Sequence, residues 1–142
     1  MQVVLERIER ATTQPIELLD LTAELRARCA ASGIRHGLAT LISQHTTAYL
    51  NLNEREAQLQ RDMVTWLKRS VPRDGDWLHN LEPIDGRDNA HAHLLGLSMS
   101  ASLSIPVHDG ALLLGAWQSV FLVELDGPRE RRQIVLHLLG ER

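Results

Sequence analysis

The last third of the chain consists of strand-length apolar segments separated by turn-forming residues. The segments SLSIPV, ALLLGAWQSVFLVEL and RQIVLHLLG are rich in leucine and β-branched residues, and HDG and DGPRE stand between them. Asp-Gly pairs between apolar runs are typical of β-hairpins. The pattern predicts an antiparallel meander at this end of the chain.

The first 33 residues predict a strand followed by a helix. MQVVLERIER alternates well enough for a half-buried strand. In the next segment Thr13 is a candidate N-cap, Pro15 suits the first turn, and Gly33 is a stop signal. Leu25 and Cys29 fall on one face of this helix, so Cys29 is interpreted as a small buried hydrophobe.

The middle of the chain continues the alternation of strands and helices. GLATLISQHTTAYLNLN predicts two strands with His45 at the bend, and a helix is expected from about Glu54, capped by Asn53, to Pro72. A turn-rich loop then runs to Asn89, and NAHAHLLGLSMS favours a short helix. The order of elements predicts an α+β fold with two main helices and an antiparallel-rich mixed sheet, in one domain spanning residues 1–142.

Composition excludes several classes of partner. Asp and Glu outnumber Lys and Arg by 18 to 15, and no large basic cluster exists, which argues against nucleic-acid binding. The charged N-terminal segment argues against a signal peptide, and no apolar run reaches the roughly 18 residues that a membrane span requires. With a single cysteine, the chain is expected to be cytoplasmic.

Three histidines lie at predicted element boundaries, where functional side chains are often presented. His45 follows a strand, His79 lies in the long loop, and His93 opens a helix. Three imidazoles suit a divalent metal, zinc above all, although their spacing matches no local zinc motif. His91 would diverge from His93 on a helix. The other histidines are predicted to be surface or packing residues: His36, His108 and His137.

Other polar residues leave two interpretations open. Glu54 is either a catalytic carboxylate or a favourable charge at a helix start, and Asp62 is a second candidate carboxylate. Arg129 in DGPRERR either holds an anion or belongs to an ordinary turn. Gln118 either faces solvent or donates a hydrogen bond into a site.

The ordered motifs QHTTAYLNLNE, RDM, LHN, DNAHAHL and IPVHDGALLLGAWQSVFLVELDGPRERR resemble the YjbQ-like family from about Gly37 onward. The resemblance implies an α+β homotrimer with secondary thiamine-phosphate synthase activity. It also implies that His45, His79 and His93 are the family's recurring histidines and act as metal ligands. Four further residues match recurring family positions: Glu54, Asp62, Gln118 and Arg129. Three positions depart from the family pattern: Ala57, Ser100 and Ala116.

These observations predict a metal-binding enzyme with a phosphorylated small-molecule substrate. Its catalytic candidates are Glu54, His45 and Gln118, and its candidate substrate-binding residues are Thr46, Thr47 and Arg129. Zinc suits the histidines, whereas a pyrophosphate-releasing synthase would favour magnesium held by oxygen ligands. A metal-dependent hydrolase of a small phosphorylated or carbonyl compound, and a non-enzymatic trimeric metal- or metabolite-binding module, are the alternatives.

Overall fold

Two antiparallel β-sheets share the main core of the protein. The computed structural model describes all residues, 1–142. One sheet has the strand order β1-β8-β3-β5-β6 and the other the order β2-β7-β4. The strands are β1 Gln2–Thr12, β2 Glu17–Asp20, β3 His36–Ser43, β4 Ala48–Glu54, β5 Ser102–His108, β6 Ala111–Leu112, β7 Gln118–Glu124 and β8 Arg129–Glu141.

Three helices complete the architecture. They are α1 Thr22–Ser32, α2 Ala57–Ser70 and α3 Ala90–Gly96, with a 3₁₀ turn at Leu78–Asn80. A larger core of 16 buried residues joins the inner face of the five-stranded sheet to α1 and to one face of the three-stranded sheet. A smaller core, which includes Leu67, Leu95 and Phe121, packs α2 and α3 on the opposite face of the three-stranded sheet. The α+β class is confirmed, and every strand pair is antiparallel. No helix is long and apolar enough to cross a membrane.

Helix α1 begins eight residues later than predicted, because its N-cap is Leu21 and not Thr13. Residues Glu17–Asp20 pair with β7 instead and form the edge strand β2. Thr22 then starts the helix, with its N–H donating to Asp20 Oδ1 at 2.8 Å. The predicted stop is confirmed, because Gly33 caps the helix with a φ of 71°.

The predicted start of α2 at Glu54 is also wrong. Asn53 and Glu54 remain in β4, where they pair with Ser119 and Gln118 of β7. The helix starts at Ala57, and Glu56 is its cap, accepting from Gln58 N–H at 3.0 Å and Leu59 N–H at 2.6 Å.

The predicted C-terminal meander does not form. The HDG segment does make a hairpin between β5 and β6. The DGPRE segment, in contrast, carries the chain out of the three-stranded sheet and into β8 of the other sheet. This crossing concentrates the charged residues after β7 at the junction of the two sheets.

Candidate functional site

Asp126 organises a polar cluster just after β7. It is 2% exposed, and its carboxylate accepts hydrogen bonds from Arg87 Nε at 2.9 Å, Asn89 Nδ2 at 3.0 Å and Arg129 Nη2 at 2.7 Å. Burial alone would raise the pKa of Asp126, but these donors outweigh it and lower the pKa to about 2. The carboxylate is therefore charged at neutral pH.

A second buried ion pair adjoins this cluster. Glu124 is fully buried and accepts from Arg132 Nε at 2.7 Å and from Thr12 Oγ1 at 2.9 Å. Its other oxygen accepts the backbone N–H of Asp126 at 2.9 Å, which ties the Glu124 carboxylate to the backbone of the neighbouring cluster. Arg132 also donates to Thr47 Oγ1 at 2.8 Å, so this hydroxyl is part of the buried network.

The cluster sets the tautomer of neutral His79. Because the Asn89 amide nitrogen donates to Asp126, its oxygen is the atom that faces His79 Nε2, at 2.9 Å. That oxygen can only accept, so Nε2 carries the ring proton. Nδ1 of neutral His79 is therefore unprotonated and has a free lone pair. The ring is exposed.

His79 and His93 are brought together by the loop and α3. Their ring centroids are 5.0 Å apart in a T-shaped arrangement. Asn80 Oδ1 accepts the Ala90 N–H at 3.2 Å, which ties the 3₁₀ turn to the start of α3. The two rings line a cavity of about 530 Å³ whose other lining residues are Asp76, Trp77, Leu78, Ala90 and Leu94.

His45 does not line this cavity and lies at the bend between β3 and β4. Its Nε2 accepts the Gln133 N–H at 2.9 Å, so in the neutral ring Nδ1 carries the proton. Burial, together with the charge of Arg132, lowers the pKa of His45. Neutral His45 can thus donate one hydrogen bond. The chain does not arrange three or more His, Cys, Asp or Glu side chains into a metal-binding group.

Glu54 and Gln118 lie at the other end of the three-stranded sheet. They are register partners on β4 and β7, whereas Ala48 pairs with Glu124 six residues away along the strands. That offset corresponds to about 20 Å. Gln118 is exposed, and its Oε1 accepts the Gly115 N–H at 2.8 Å. Within one chain, neither residue joins His45.

The remaining predicted site residues lie in different surroundings. Thr46 is exposed and its hydroxyl has no partner, whereas Thr47 is buried in the Arg132 network. Arg129 is in the cluster but its Nη2 is used by Asp126. Asp62 lies instead beside a different cavity, of about 410 Å³, between α2 and the three-stranded sheet.

Sequence reasoning missed most of the residues that hold the site. One available clue was Glu124, a charged residue directly after the apolar run VFLV, since a buried charge requires a partner. The partners themselves could not be found, because Arg87 and Asn89 lie almost 40 residues from Asp126 in the chain.

Comparison with known proteins agrees with this arrangement of elements. The family model for UPF0047 protein YjbQ-like matches residues 6–141. A UPF0047 protein of Methanothermobacter thermautotrophicus is 38% identical over 132 residues, which cover 93% of this chain and 90% of the relative. The chain belongs to the YjbQ-like UPF0047 family. The YjbQ-like match thus extends beyond the motifs after Gly37 to include β1 and α1.

Other YjbQ-like proteins show the same extent of similarity. The UPF0047 protein YugU of Bacillus subtilis is 33% identical over 130 residues, covering 90% of this chain and 94% of the relative. The crystal structure of a YbjQ-like protein of unknown function from Sulfolobus solfataricus superposes with a TM-score of 0.92 at 40% identity, and the match covers 99% of both chains. This protein and the Sulfolobus protein therefore share one fold over almost the whole of both chains.

Proposed function

We propose that this protein is an enzyme that acts on a small phosphorylated metabolite at the His79–His93 cavity, with a divalent metal. The observation that carries the proposal is the bare Nδ1 of His79, which the Asn89 and Asp126 side chains hold in that form next to His93. A histidine oriented by an amide and a carboxylate behind it is typical of metal ligands and of general bases.

The donor set at the cavity suits a transition metal. Two imidazoles that share a zinc ion have ring centres about 5 Å apart, given Zn–N bonds of about 2.0–2.1 Å, and the His79 and His93 centroids meet this at 5.0 Å. His45 does not fit, because its Nε2 is used by Gln133 and its Nδ1 carries the proton. When bound, zinc would polarise a phosphoryl or carbonyl oxygen. Its remaining ligands would be water, substrate or a residue of another copy.

Cationic groups for a phosphate lie behind the cavity. Arg87 and Arg129 are about one-third exposed and their Nη1 groups make no hydrogen bond, although Asp126 holds the rest of each guanidinium. We assign Arg129, with the free Thr46 hydroxyl, to substrate phosphate binding. The Nδ1–H of His45 is a further donor to a substrate oxygen.

The imidazole-rich cavity favours hydrolysis over synthesis. Joining a pyrimidine diphosphate to a thiazole phosphate releases pyrophosphate, which magnesium with oxygen ligands normally assists. We therefore place thiamine-phosphate synthesis as a secondary activity of the same cavity. A closed site without an exchangeable ligand would instead identify a non-enzymatic metal-binding module.

We further propose that the protein is a homotrimer. The outer face of the five-stranded sheet carries exposed apolar side chains on three adjacent strands: Val3, Leu5, Leu38, Ile42 and Leu139. Contiguous exposed apolar patches of this kind are typical of protein interfaces.

Elemental analysis tests the metal. Untagged protein purified without chelator is compared with His79→Ala, His93→Ala and His45→Ala. We expect near-stoichiometric zinc in the wild type, its loss in the first two variants and its retention in His45→Ala. A wild-type protein that holds no metal and cannot be loaded would contradict the metal.

Activity is then measured as phosphate release from small phosphorylated metabolites and as thiamine-phosphate formation. Asn89→Leu removes the amide that is hydrogen-bonded to His79 and leaves both imidazole side chains in the chain, and it is expected to weaken metal binding about 10- to 100-fold. Unchanged affinity in this variant would show that Asn89 does not orient His79.

A further inference from the structure

The cavity of about 410 Å³ between α2 and the three-stranded sheet has no part in the proposed function. It shares no lining residue with the His79–His93 cavity. Its volume is typical of a site for a small molecule, and such sites combine an apolar wall with a few polar groups. The apolar wall includes Leu59, Met63 and Trp66 of α2 and Met99 after α3.

Asp62 is the only charged residue that lines this cavity. Helix residues three or four positions apart share a face, so Asp62 lies beside Leu59 and Trp66 on the side of α2 that faces the sheet. The Asp62 carboxylate is exposed and has no ion-pair partner in the chain. A cation that enters the cavity from solvent can therefore pair with it.

Two asparagines form a polar floor opposite Asp62. Asn51 and Asn53 lie two positions apart on β4 and therefore on the same face of the strand. The neighbouring positions on this face of β7 are apolar, Phe121 and Val123. Asn53 Nδ2 donates to Asn51 Oδ1 at 3.4 Å, which leaves the Asn51 NH₂ group without a partner in the chain. This amide is available to a polar atom of a ligand.

Trp66 and two methionines offer contacts to an aromatic ring. Trp66 is 61% exposed although it lies on the side of α2 that faces the sheet. An indole stacks on other rings, and its face attracts cations. The thioethers of Met63 and Met99 interact favourably with ring edges, and their flexible side chains adapt to the shape of a ligand. The wall therefore suits a planar ring that carries a positive charge.

We propose that this cavity binds a small aromatic amine. The ring lies against Trp66 and the two methionines, and the ammonium group pairs with Asp62. The amides of Asn51 and Asn53 bind a polar atom at the edge of the ring. This preference for a cation is opposite to that of the His79–His93 cavity, whose proposed substrate carries a phosphate. The two cavities therefore take different molecules.

Nuclear magnetic resonance of ¹³C-methyl-labelled methionine tests this site separately from the proposed function. The chain has three methionines. Met63 and Met99 line the cavity, whereas Met1 is 89% exposed at the N-terminus and serves as an internal control. With tryptamine as the probe, we expect saturable shifts of the Met63 and Met99 methyl signals and none of the Met1 signal. Absence of saturable shifts at Met63 and Met99, or an equal shift at Met1, would overturn the proposal.

Two analogues with the same indole ring separate the effect of the charge from that of the ring. Tryptophol is neutral and indole-3-propionate is anionic. Tryptamine should bind about two- to fivefold more tightly than tryptophol, the size expected of an exposed ion pair, and indole-3-propionate should bind most weakly. Asp62→Asn should abolish this order, whereas Asp74→Asn, at an exposed carboxylate outside the cavity, should retain it. Equal affinities of the three compounds for the wild type would contradict the role of Asp62.

A tryptophan variant tests the contact with the ring. Trp66→Ala should weaken the binding of all three compounds about two- to tenfold, because it removes the stacking surface. Trp117→Ala, which removes a tryptophan that is 77% exposed outside the cavity, is the matched control and should change nothing. Shifts of Met63 and Met99 on dilution of the protein alone would instead place a second copy of the chain in the cavity, and would exclude the aromatic amine as its occupant.

Discussion

At the scale of single residues, the Asp126 carboxylate fixes the tautomer of a histidine ring that it does not touch. Asp126 orients the Asn89 amide, and the amide in turn decides which nitrogen of His79 holds the proton. An Asn89 side chain rotated by half a turn would present its NH₂ group to His79 and repel Asp126. The buried carboxylate therefore acts at the cavity through one intervening side chain.

The same carboxylate predicts a loss of stability in acid. The pKa of Asp126 is about 2 in the folded chain and about 3.9 when unfolded, so its stabilisation is present above about pH 4 and is lost as the pH falls towards 2. Arg132 adds to this effect, because its hydrogen bonds outweigh burial and lower the pKa of Glu124. We expect the free energy of unfolding, measured in urea from pH 7 to pH 2.5, to fall by roughly 2 kcal/mol or more below pH 4.

Two variants check the assignment of this acid sensitivity. Asp126→Asn should be less stable at pH 7 and should lose less stability in acid. Asp74→Asn, which changes an exposed carboxylate without an ion pair, should retain the wild-type profile. Equal profiles for the wild type and Asp126→Asn would contradict the assignment.

At the residue scale, prediction from the sequence succeeded where a residue's place at the end of a strand or helix indicated its role. His79 and His93 were singled out because they lie at element boundaries, and they are in contact. The buried pair of Glu124 and Arg132 was missed, since eight residues of charged and turn-forming sequence do not reveal that two of them turn inward. The contact of His36 with His108 depends on strand register, which the sequence does not specify.

At the scale of elements, local chemistry predicted where helices end better than where they begin. Gly33 ends α1 because its φ of 71° is accessible to glycine. The starts of α1 and α2 were misplaced because β7 pairs with residues on both sides: Glu17–Asp20 on one edge and Ala48–Glu54 on the other. Long-range pairing overrode the local capping signals at Thr13 and Asn53.

The helix stop can be tested at Gly33. A Cβ there would contact only Arg142 Nε at 3.5 Å, so the cost of a substitution lies in the backbone. Gly33→Ala should lower the free energy of unfolding by about 1–2 kcal/mol, the penalty for a left-handed residue. Gly33→Asn should lose less, and urea denaturation measures both. Equal losses would indicate a steric cause instead.

At the scale of the whole molecule, the two sheets differ in their surroundings. The three-stranded sheet is covered by the other sheet on one side and by α2 and α3 on the other. The five-stranded sheet has one covered face, and its outer face exposes Leu38 and Ile42 at 39% and 42%. The sequence predicted the α+β class, but it could not divide eight strands between two sheets.

The apolar outer face of the five-stranded sheet predicts how the proposed trimer responds to a charged substitution. Light scattering of the wild type should give three times the chain mass of 16.0 kDa. Ile42→Lys should give a smaller assembly with an unchanged circular dichroism spectrum, because lysine places a charge in the interface. Ile84→Lys, at a fully exposed site outside this face, is the matched control. A wild-type monomer would rule out the trimer.

The position of β8 has a consequence for synthesis on the ribosome. This strand pairs with β1 on one side and with β3 on the other, and those two strands do not pair with each other. Until residues 129–141 leave the exit tunnel, β1 has no partner strand in the sheet, whereas β3 can already pair with β5. Because β8 follows every other strand in this order, the three-stranded sheet can form before the five-stranded sheet is completed.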